Sequence, residues 1–347
     1  STDIALEFGL FDCLTGTIEY FKKDSKDLLF DVSQPASVGV TSIIQNIGKV
    51  TNSGVEIELD YNAFKNKDWS VSVGANATFV KNKIKNLPAT MKENGYISGS
   101  KKWLEGKSIY EFWLRQWHGV DPQTGDGLYV ADVSKYNQGN IGTGDGNITQ
   151  SQFDEYKKTV VTIDGKELTN SYTYAKYDFS GSSIPDVFGG FNVRVSYKNF
   201  DLAAVFSYQL GGQVLDTNYA TMMSMTEFGY AQSPDLLKAW KQAGDITEVP
   251  RIDNSAAHTT NIGQSYSTRW LTSSDYLNLR SVTIGYQFPK AWLSKVMLKS
   301  ARLNLTAENL FMLKARQGLN PMANYSGVTY NEYMPSRNIT LGLNVSF

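Results

Sequence analysis

The chain has 347 residues, and its 33 Lys and Arg residues balance 34 Asp and Glu residues, which argues against nucleic acid as a partner. Polar clusters interrupt every apolar stretch before the roughly 18 to 20 residues that a membrane-spanning helix needs, so the sequence predicts no such helix. Cys13 is the only cysteine and there are two histidines, so an intrachain disulfide is excluded. A metal site built on thiols or imidazoles is not expected, and we predict neither a cofactor nor a bound metal.

The predicted elements are mainly β-strands. Aromatic residues make up 13% of the chain and 29 residues are glycine, a composition typical of β-structure. Runs that alternate apolar and polar residues predict strands, in chain order, at residues 4–11, 14–21, 55–63, 69–79, 109–117, 127–131, 191–197, 202–209, 281–288, 301–309 and 338–347. Many of these runs approach the roughly 9 to 11 residues with which a tilted strand crosses a bilayer. Strand length therefore indicates a membrane barrel.

The connections between the predicted strands alternate in length. Short turns are predicted at residues 12–13, 65–68 and 198–200, and long connections at residues 24–52, 132–184, 210–268 and 314–335. Short turns on one side and long loops on the other are typical of outer-membrane barrels. One long loop is predicted to carry a helix that begins after Ser233, has Pro234 in its first turn and ends at Gly244.

Several segments resemble those of a known family. They lie at residues 46–56, 119–125, 184–190, 197–202, 250–251, 275–280 and 308–311, followed by the terminal strand that ends at Phe347. In order and spacing the chain resembles the C-terminal half of a SusC/RagA-type TonB-linked outer-membrane transporter. Phe347 resembles the C-terminal aromatic residue that the barrel-assembly machinery reads.

The resemblance implies a fold and a function. The implied fold class is all-β: an antiparallel transmembrane β-barrel in which about eleven strands form half of a plugged barrel of about 22 strands. Residues 1–347 would be the C-terminal part of the barrel, with the N-terminal barrel half and the plug absent from this chain. Because a half barrel leaves two open edges, the N-terminal half of the same barrel is an expected partner, as is outer-membrane lipid.

The implied function is TonB-dependent import of a polar nutrient, an oligosaccharide or a peptide, through the outer membrane of a Gram-negative cell with the long loops facing outside. A SusD-like surface lipoprotein would act as lid, and the TonB complex would supply energy through the missing N-terminal part. No catalytic residue is implied, and we expect the protein not to be an enzyme. The alternative is a soluble or surface-attached β-rich module that binds carbohydrate or mediates adhesion, with a secreted glycosidase as a third reading.

Aromatic residues divide into two predicted groups. Those at or near strand ends suit the lipid headgroup boundary: Tyr61, Trp69, Trp113, Trp117, Tyr197, Tyr286 and Trp292. Loop aromatics with nearby polar side chains are the candidates for substrate binding: Trp103, Asp216, Asn218, Tyr219, Tyr230, Arg251, Asn324, Tyr325 and Tyr330.

Two other patterns bear on site chemistry. Residues 145–149 resemble the start of a calcium loop, but Gln150 and Tyr156 stand where a turn glycine and a bidentate Glu belong, which favours a plain turn. The acidic pair Glu56 and Glu58 could suggest a glycosidase, yet both lie on one face of a strand, which favours the wet lumen of a barrel.

Overall fold

The computed structural model describes residues 1–33, 42–144, 146–225, 229, 231–263, 265–294, 297–330 and 332–347. The described strands are β1 (Thr2–Leu10), β2 (Leu14–Ser33), β3 (Ser42–Lys65), β4 (Trp69–Asn86), β5 (Tyr96–Ser98), β6 (Lys101–Trp103), β7 (Glu111–Arg115), β8 (Trp117–Val120), β9 (Gly127–Val130), β10 (Val160–Ile163), β11 (Lys166–Thr169), β12 (Tyr177–Ser182), β13 (Val187–Tyr197), β14 (Phe200–Leu210), β15 (Gln213–Leu215), β16 (Leu271–Ser273), β17 (Tyr276–Gln287), β18 (Ser300–Glu308), β19 (Met312–Lys314) and β20 (Asn338–Ser346). The α-helices are α1 (Gln150–Thr159), α2 (Thr217–Met222), α3 (Ala256–Ile262) and α4 (Lys290–Leu293), and 3₁₀ turns lie at Ala89–Met91, Gln138–Asn140, Tyr172–Tyr174, Pro234–Lys238 and Thr268–Trp270.

One large antiparallel sheet dominates the described part of the chain. Its order is β1-β2-β3-β4-β13-β14-β17-β18-β20, and β19 pairs with the start of β17. Consecutive strands of this sheet are joined at one end by connections of residues 11–13, 66–68, 198–199 and 288–299, and at the other end by the much longer segments 87–186, 211–275 and 315–337. Three of the predicted long connections, at residues 132–184, 210–268 and 314–335, fall in these longer segments, and for them the predicted alternation with short turns is confirmed.

The register gives the sheet one polar face and one apolar face. On β3, Glu58 lies opposite Thr17 of β2 and Asn76 of β4. At the other side of the sheet, Thr306 lies between Thr283 and Thr340. The intervening residues form the opposite face, which is apolar and includes Ile18, Ile57, Ala75, Val193, Ala204, Ile284, Leu305 and Leu341. Because side chains alternate along a strand, the two-residue period of the sequence has sorted polar from apolar groups across the whole sheet.

An ion pair and a close-fitting glycine illustrate the packing on the polar face. Arg302 of β18 reaches across β17 to Asp201 of β14, with 2.7 Å between Nη2 and Oδ2. The residue it crosses is Gly285, where an added Cβ would lie 2.6 Å from Asp201 Oδ1. Glycine at this position makes room for the bridge between the two strands.

The long connections fold into structure of their own. They form one four-stranded sheet of order β10-β11-β9-β8, a second of order β12-β7-β6-β5, and the pair β15-β16. Phe112 and Leu114 of β7 are fully buried in a cluster with Leu215, Trp270 and Val328, which come from two other connections. The loops therefore share a hydrophobic core outside the large sheet.

Two predictions about the strands need correction. The predicted strands at 109–117 and 127–131 lie in the small loop sheets as β7 and β9, so nine of the eleven predicted strands belong to the large sheet, and the predicted number of barrel strands is not confirmed. On β7 the alternation reflects burial of Phe112 and Leu114 in the loop core, whereas Gly127, Leu128 and Tyr129 of β9 are all buried. Residues 24–52 were predicted to be a long loop, but β2 continues to Ser33 and β3 begins at Ser42 because the two strands remain paired far beyond the apolar segment.

The helices also differ from the prediction. Ser233 does cap the turn that contains Pro234, accepting from the backbone N–H of Asp235 at 3.3 Å, but this turn is a 3₁₀ helix that ends at Lys238. It ends early because Ala239 is extended, and the indole N–H of Trp240 donates to the Pro122 carbonyl at 2.9 Å. Helix α1, capped at Thr149, was missed. Among the described residues, no helix combines the length and the apolar character that crossing a bilayer requires.

Candidate functional site

Three of the predicted binding residues meet at helix α2. Asp216 caps the helix: its Oδ1 accepts from the backbone N–H of Tyr219 at 2.9 Å and from the Thr329 hydroxyl at 3.2 Å. Its Oδ2 is paired with the guanidinium of Arg316. Asp216 is 3% exposed, so its carboxylate is engaged inside the protein, where it joins α2 to the segment around Thr329. Asn218 lies in the same place, with its backbone N–H donating to the Thr329 hydroxyl at 3.3 Å.

The ring of Tyr219 lies at the centre of this cluster. Arg316 stacks over the ring with its guanidinium carbon 3.4 Å from the centroid, and Trp270 meets it edge-on at 5.8 Å between centroids. The Tyr219 hydroxyl donates to Asp235 Oδ2 at 2.8 Å. Burial, reinforced by Asp235, raises the pKa of Tyr219 to about 12, so the phenol is a neutral donor at physiological pH.

The next predicted residues lie on the connection between β19 and β20. Asn324 Oδ1 accepts from the backbone N–H of Ser326 at 2.8 Å, so its side chain stabilises a turn. Tyr325 packs edge-on against Tyr110 at 5.2 Å between centroids and is 52% exposed, and Tyr330 is 61% exposed. These two tyrosines present aromatic surface to solvent.

Arg251 belongs to a separate polar pocket. Its guanidinium lies 2.9 Å from Asp126 Oδ1 and 3.2 Å from Asp253 Oδ2. The Nε2–H of buried His258 donates to the Arg251 carbonyl at 2.8 Å, and its Nδ1 lies 3.7 Å from Asp126 Oδ1. His258 and the Arg251 charge together hold the pKa of Asp126 below its usual range. The pocket beside this network measures about 580 Å³ and is also lined by Asn170.

Two remaining candidates lie apart from these groups. Trp103 packs against a buried cluster that includes Ile84 and Leu87 near the end of β4, and its indole N–H donates to the Ile109 carbonyl at 3.2 Å. Tyr230 lies outside the described residues. The structure thus brings Asp216, Asn218 and Tyr219 together and places Arg251 and Trp103 elsewhere, and the role of each in binding stays a prediction.

The calcium-like pattern and the acidic pair lie away from these groups. Asp145 of the calcium pattern lies outside the described residues, and Tyr156, at the position of the bidentate Glu, is 1% exposed in a loop core with Tyr136. The described ranges contain no group of three His, Cys, Asp or Glu residues placed to hold a metal ion. Glu56 and Glu58 lie on the polar face of the large sheet.

Three of the predicted strand-end aromatics form a row with Phe200 on the apolar face at the short-turn end. Trp69, Tyr197, Phe200 and Tyr286 are successive cross-strand neighbours. The centroids of Trp69 and Tyr197 are 4.3 Å apart, and those of Phe200 and Tyr286 are 4.5 Å apart.

Two tryptophans predicted at this boundary are elsewhere. Trp113 packs on Phe179 at 4.9 Å and Trp117 on Tyr129 at 5.1 Å, both within the loop sheets, because the strands that carry them fold onto the loop core.

Some residues of the loop cluster were missed from the sequence. Arg316 and Trp270 both contact Tyr219, and neither was among the candidates. The available signal was local composition: Arg269 and Trp270 are adjacent and follow the polar stretch 264–268, and Arg316 lies just inside the long connection 314–335. Cationic and aromatic side chains side by side in a loop are a common composition of binding surfaces.

The chain is similar to known receptors. No family model matches the chain. It is 28% identical to the TonB-dependent receptor P3 of Formosa agariphila, over 99% of this chain and 34% of that protein. It is 24% identical to the TonB-dependent receptor SusC of Bacteroides thetaiotaomicron, over 99% of this chain and 31% of that protein. The chain thus spans about a third of the length of the curated relatives that it matches.

The chain is also similar to solved transporter structures. The structure of the RagAB peptide importer in its closed-closed state matches with a TM-score of 0.76 and 25% identity, covering 99% of this chain and 35% of that chain. These relatives are named as receptors and transporters, in agreement with the prediction that the protein is not an enzyme. Over nearly its whole length the chain is similar to outer-membrane, TonB-dependent receptors of the SusC/RagA type, and the resemblance predicted from its sequence is confirmed.

Proposed function

We propose that this chain is the C-terminal part of the barrel of a TonB-dependent importer in the outer membrane of a Gram-negative cell. The observation that carries the proposal is the large sheet, whose antiparallel strands have one continuous polar face and one continuous apolar face. A wall between lipid and a water-filled lumen needs both faces. The apolar side chains stand exposed, as shown by Ile4 at 64% and Leu341 at 68%.

The dimensions of the apolar face support a membrane position. Trp69 belongs to the aromatic row at the short-turn end, and Phe79 lies on the same face ten residues further along β4. Ten residues correspond to about 33 Å along a strand. At a tilt of about 45° they span about 23 Å of membrane depth, close to the apolar band of about 25 Å in outer-membrane barrels.

The sheet needs further strands to close. Within the described part of the chain, β1 and β20 each pair on one side only. Open edges in lipid would leave backbone groups without partners, so we propose that the N-terminal half of the same barrel pairs with both edges. Closure to about 22 strands around a plug is the size expected for such a transporter.

The substrate is proposed to be a polar nutrient captured by the loops, an oligosaccharide or a peptide. The exposed rings of Tyr325 and Tyr330 supply aromatic surface on which such a solute can pack. The RagAB neighbours are described as peptide transporters, which favours the peptide among these two classes. A SusD-like lipoprotein lid and energy from the TonB complex complete the proposed importer.

The first experiment fractionates native cells to find where the parent protein is located. An antibody against residues 321–333 is used to blot native cells. We expect a heat-modifiable outer-membrane band well above the 38.6 kDa of this chain. A soluble or secreted band near 38.6 kDa would refute the barrel and favour the carbohydrate-binding module.

Cysteine labelling then tests orientation in the parent protein. The native Cys13 lies in the short turn between β1 and β2, and Tyr333, 96% exposed, lies in the long connection before β20. With a membrane-impermeant maleimide, the double variant Cys13→Ser with Tyr333→Cys should label in intact cells, and native Cys13 only after permeabilisation. The single variant Cys13→Ser is the blank. The opposite pattern would place the long loops on the periplasmic side.

A further inference from the structure

Arg269 is held in an unusual position between two tryptophans. It lies in the 3₁₀ turn Thr268–Trp270, with its guanidinium carbon 4.7 Å from the ring centroid of Trp117 and 4.3 Å from that of Trp270. Its Nη1 donates to the Ile262 carbonyl at 3.2 Å. The two rings and the carbonyl fix the plane of the guanidinium, so a ligand that binds it finds the group already oriented.

The charge of Arg269 has no acidic partner among the described residues. Arg251 and Arg316, two other arginines of the loops, each lie within ion-pair distance of an aspartate, but no described carboxylate lies within 4.0 Å of Arg269. Burial lowers the pKa of Arg269 to about 10, which still leaves it a cation at neutral pH. A half-buried cation without a counter-ion is a favourable place for an anionic group to bind.

A pocket of about 330 Å³ gives access to this group. Arg269 lines it together with Trp117, Tyr219 and exposed His118. Glycine at position 119, with φ +147°, also lines it, and a Cβ there would have nothing within 4 Å, so this side of the pocket is open. The volume lies near the lower end for small-ligand sites, which suits one charged end of a longer solute.

The charge of the pocket limits which anion it can take. Glu248 lines the same pocket without pairing with Arg269. A second negative charge nearby disfavours a dianion such as a phosphate monoester and favours a group with a single charge. A carboxylate also matches the planar fork of a guanidinium, which can donate two parallel hydrogen bonds to it.

We propose that Arg269 binds a carboxylate of the imported solute, so that the transporter prefers acidic nutrients over their neutral counterparts. This inference rests on the proposed function and deepens it. The carboxylate can be the C-terminus of a peptide or the acid group of a uronate-containing oligosaccharide. Trp117 and Trp270 act by holding the guanidinium, and Arg269 makes the contact.

The test measures binding by the detergent-purified parent protein. Four probes are used in two pairs: N-acetyl-trialanine as free acid and as amide, and trigalacturonate with its methyl ester. We expect one acid to bind at least about 10-fold more tightly than its neutral partner, the size of effect typical of a charged hydrogen-bonded pair. The pair that shows the preference identifies whether the solute is a peptide or a uronate.

Variants assign the preference to this side chain. Arg269→Gln should bind acid and neutral probes equally, and Arg269→Lys should retain part of the preference. Lys157→Gln removes a positive charge from the exposed side of α1 and serves as the matched control that keeps the preference. Heat-modifiable migration shows that each variant is folded.

Several results would overturn the inference. The first is equal binding of the acid and neutral probes by the unaltered protein. The second is that neither acid binds at about 10 mM, since a dissociation constant above the millimolar range is too weak for a specific site. The third is an unchanged preference for the acid in Arg269→Gln. If Arg269→Gln does not fold, the binding of the acid and neutral probes by Arg269→Lys and by the unaltered protein still tests the proposal. Failure here, together with the expected labelling of Cys13 and Tyr333→Cys, would refute only the carboxylate site and leave the importer proposal standing.

Discussion

Placing arginine on the apolar face of β20 tests the membrane wall directly. Leu341 lies near the middle of β20, is 68% exposed and faces Leu305 of β18 in the register. Arginine at the midplane of a bilayer costs an outer-membrane barrel about 2 to 4 kcal/mol, which lowers the folding equilibrium constant about 30-fold to about 700-fold. We therefore expect Leu341→Arg to destabilise the parent protein by about this amount.

Two matched variants control for the substitution itself. Thr340→Arg places the same charge one residue away on the polar face, where water can solvate it, so its cost should stay below about 1 kcal/mol. Val345→Arg lies on the apolar face, but close to the short-turn end where β20 pairs with Ser300. Because the cost depends on depth, Val345→Arg should cost about 0 to 1 kcal/mol.

The assay is urea unfolding in lipid vesicles, followed by the fraction of protein that keeps heat-modifiable migration on gels. Thr340→Arg and Val345→Arg should be nearly as stable as the unaltered protein, and Leu341→Arg should be much less stable than both. Equal effects of Leu341→Arg and Thr340→Arg would refute the assignment of faces. Equal effects of Leu341→Arg and Val345→Arg would refute the depth argument, and with it a bilayer around this sheet.

Three further predictions concern the loops and the packing of the sheet. Asp216→Ala removes a helix cap and leaves half-buried Arg316 without its partner. Together these losses should lower the local stability by about 3 kcal/mol and reduce the hydrogen-exchange protection of α2 about 100-fold. An unchanged exchange rate would contradict the buried pair. Because the pKa of Asp126 is lowered in the folded protein, its ionised carboxylate contributes fully to folding stability above the ordinary aspartate pKa, and this contribution is lost as the pH falls below about 4. Amide hydrogen exchange in α3 should become faster at that low pH, and Asp126→Asn should abolish this pH dependence. Gly54→Ala would bring a Cβ within 2.6 Å of the Phe21 ring and should lower the yield of heat-modifiable barrel, whereas Gly9→Ala, with 4.0 Å to its nearest neighbour, should leave the yield unchanged.

The strands of the large sheet could be predicted because their residues alternate between one polar and one apolar face. The nine-residue run 55–63 alternates without a fault, and it lies within β3 with Glu56 and Glu58 on one face and Ile57 and Leu59 on the other. Each position is decided locally by the face to which it points, so sequence alone carries the information. The turn at residues 66–68 is equally local, since Asn66 Oδ1 accepts from the backbone N–H groups of Asp68 and Trp69 at 2.9 and 2.7 Å.

The loops could not be placed in the same way. Residues 109–117 alternate just as the strands of the large sheet do, but Phe112 and Leu114 are buried against other loops. Alternation shows that one face is buried, and it does not show what covers that face. Likewise, Arg316 is 100 residues away from Asp216 in sequence, and no local pattern marks them as partners.

The shared loop core also determines what kind of binding site the loops can form. Leu114, Leu215 and Val328 come from three separate connections and are buried in one cluster with Trp270. Trp270 is also one wall of the Arg269 stack and touches Tyr219, so the residues of the proposed carboxylate pocket are anchored by a packed core rather than carried on free loops. A site held in this way is largely formed before the solute arrives, and little affinity is lost to ordering it. Loosening the core, for example by Leu114→Ala, should therefore weaken acid binding even though Leu114 never touches the solute.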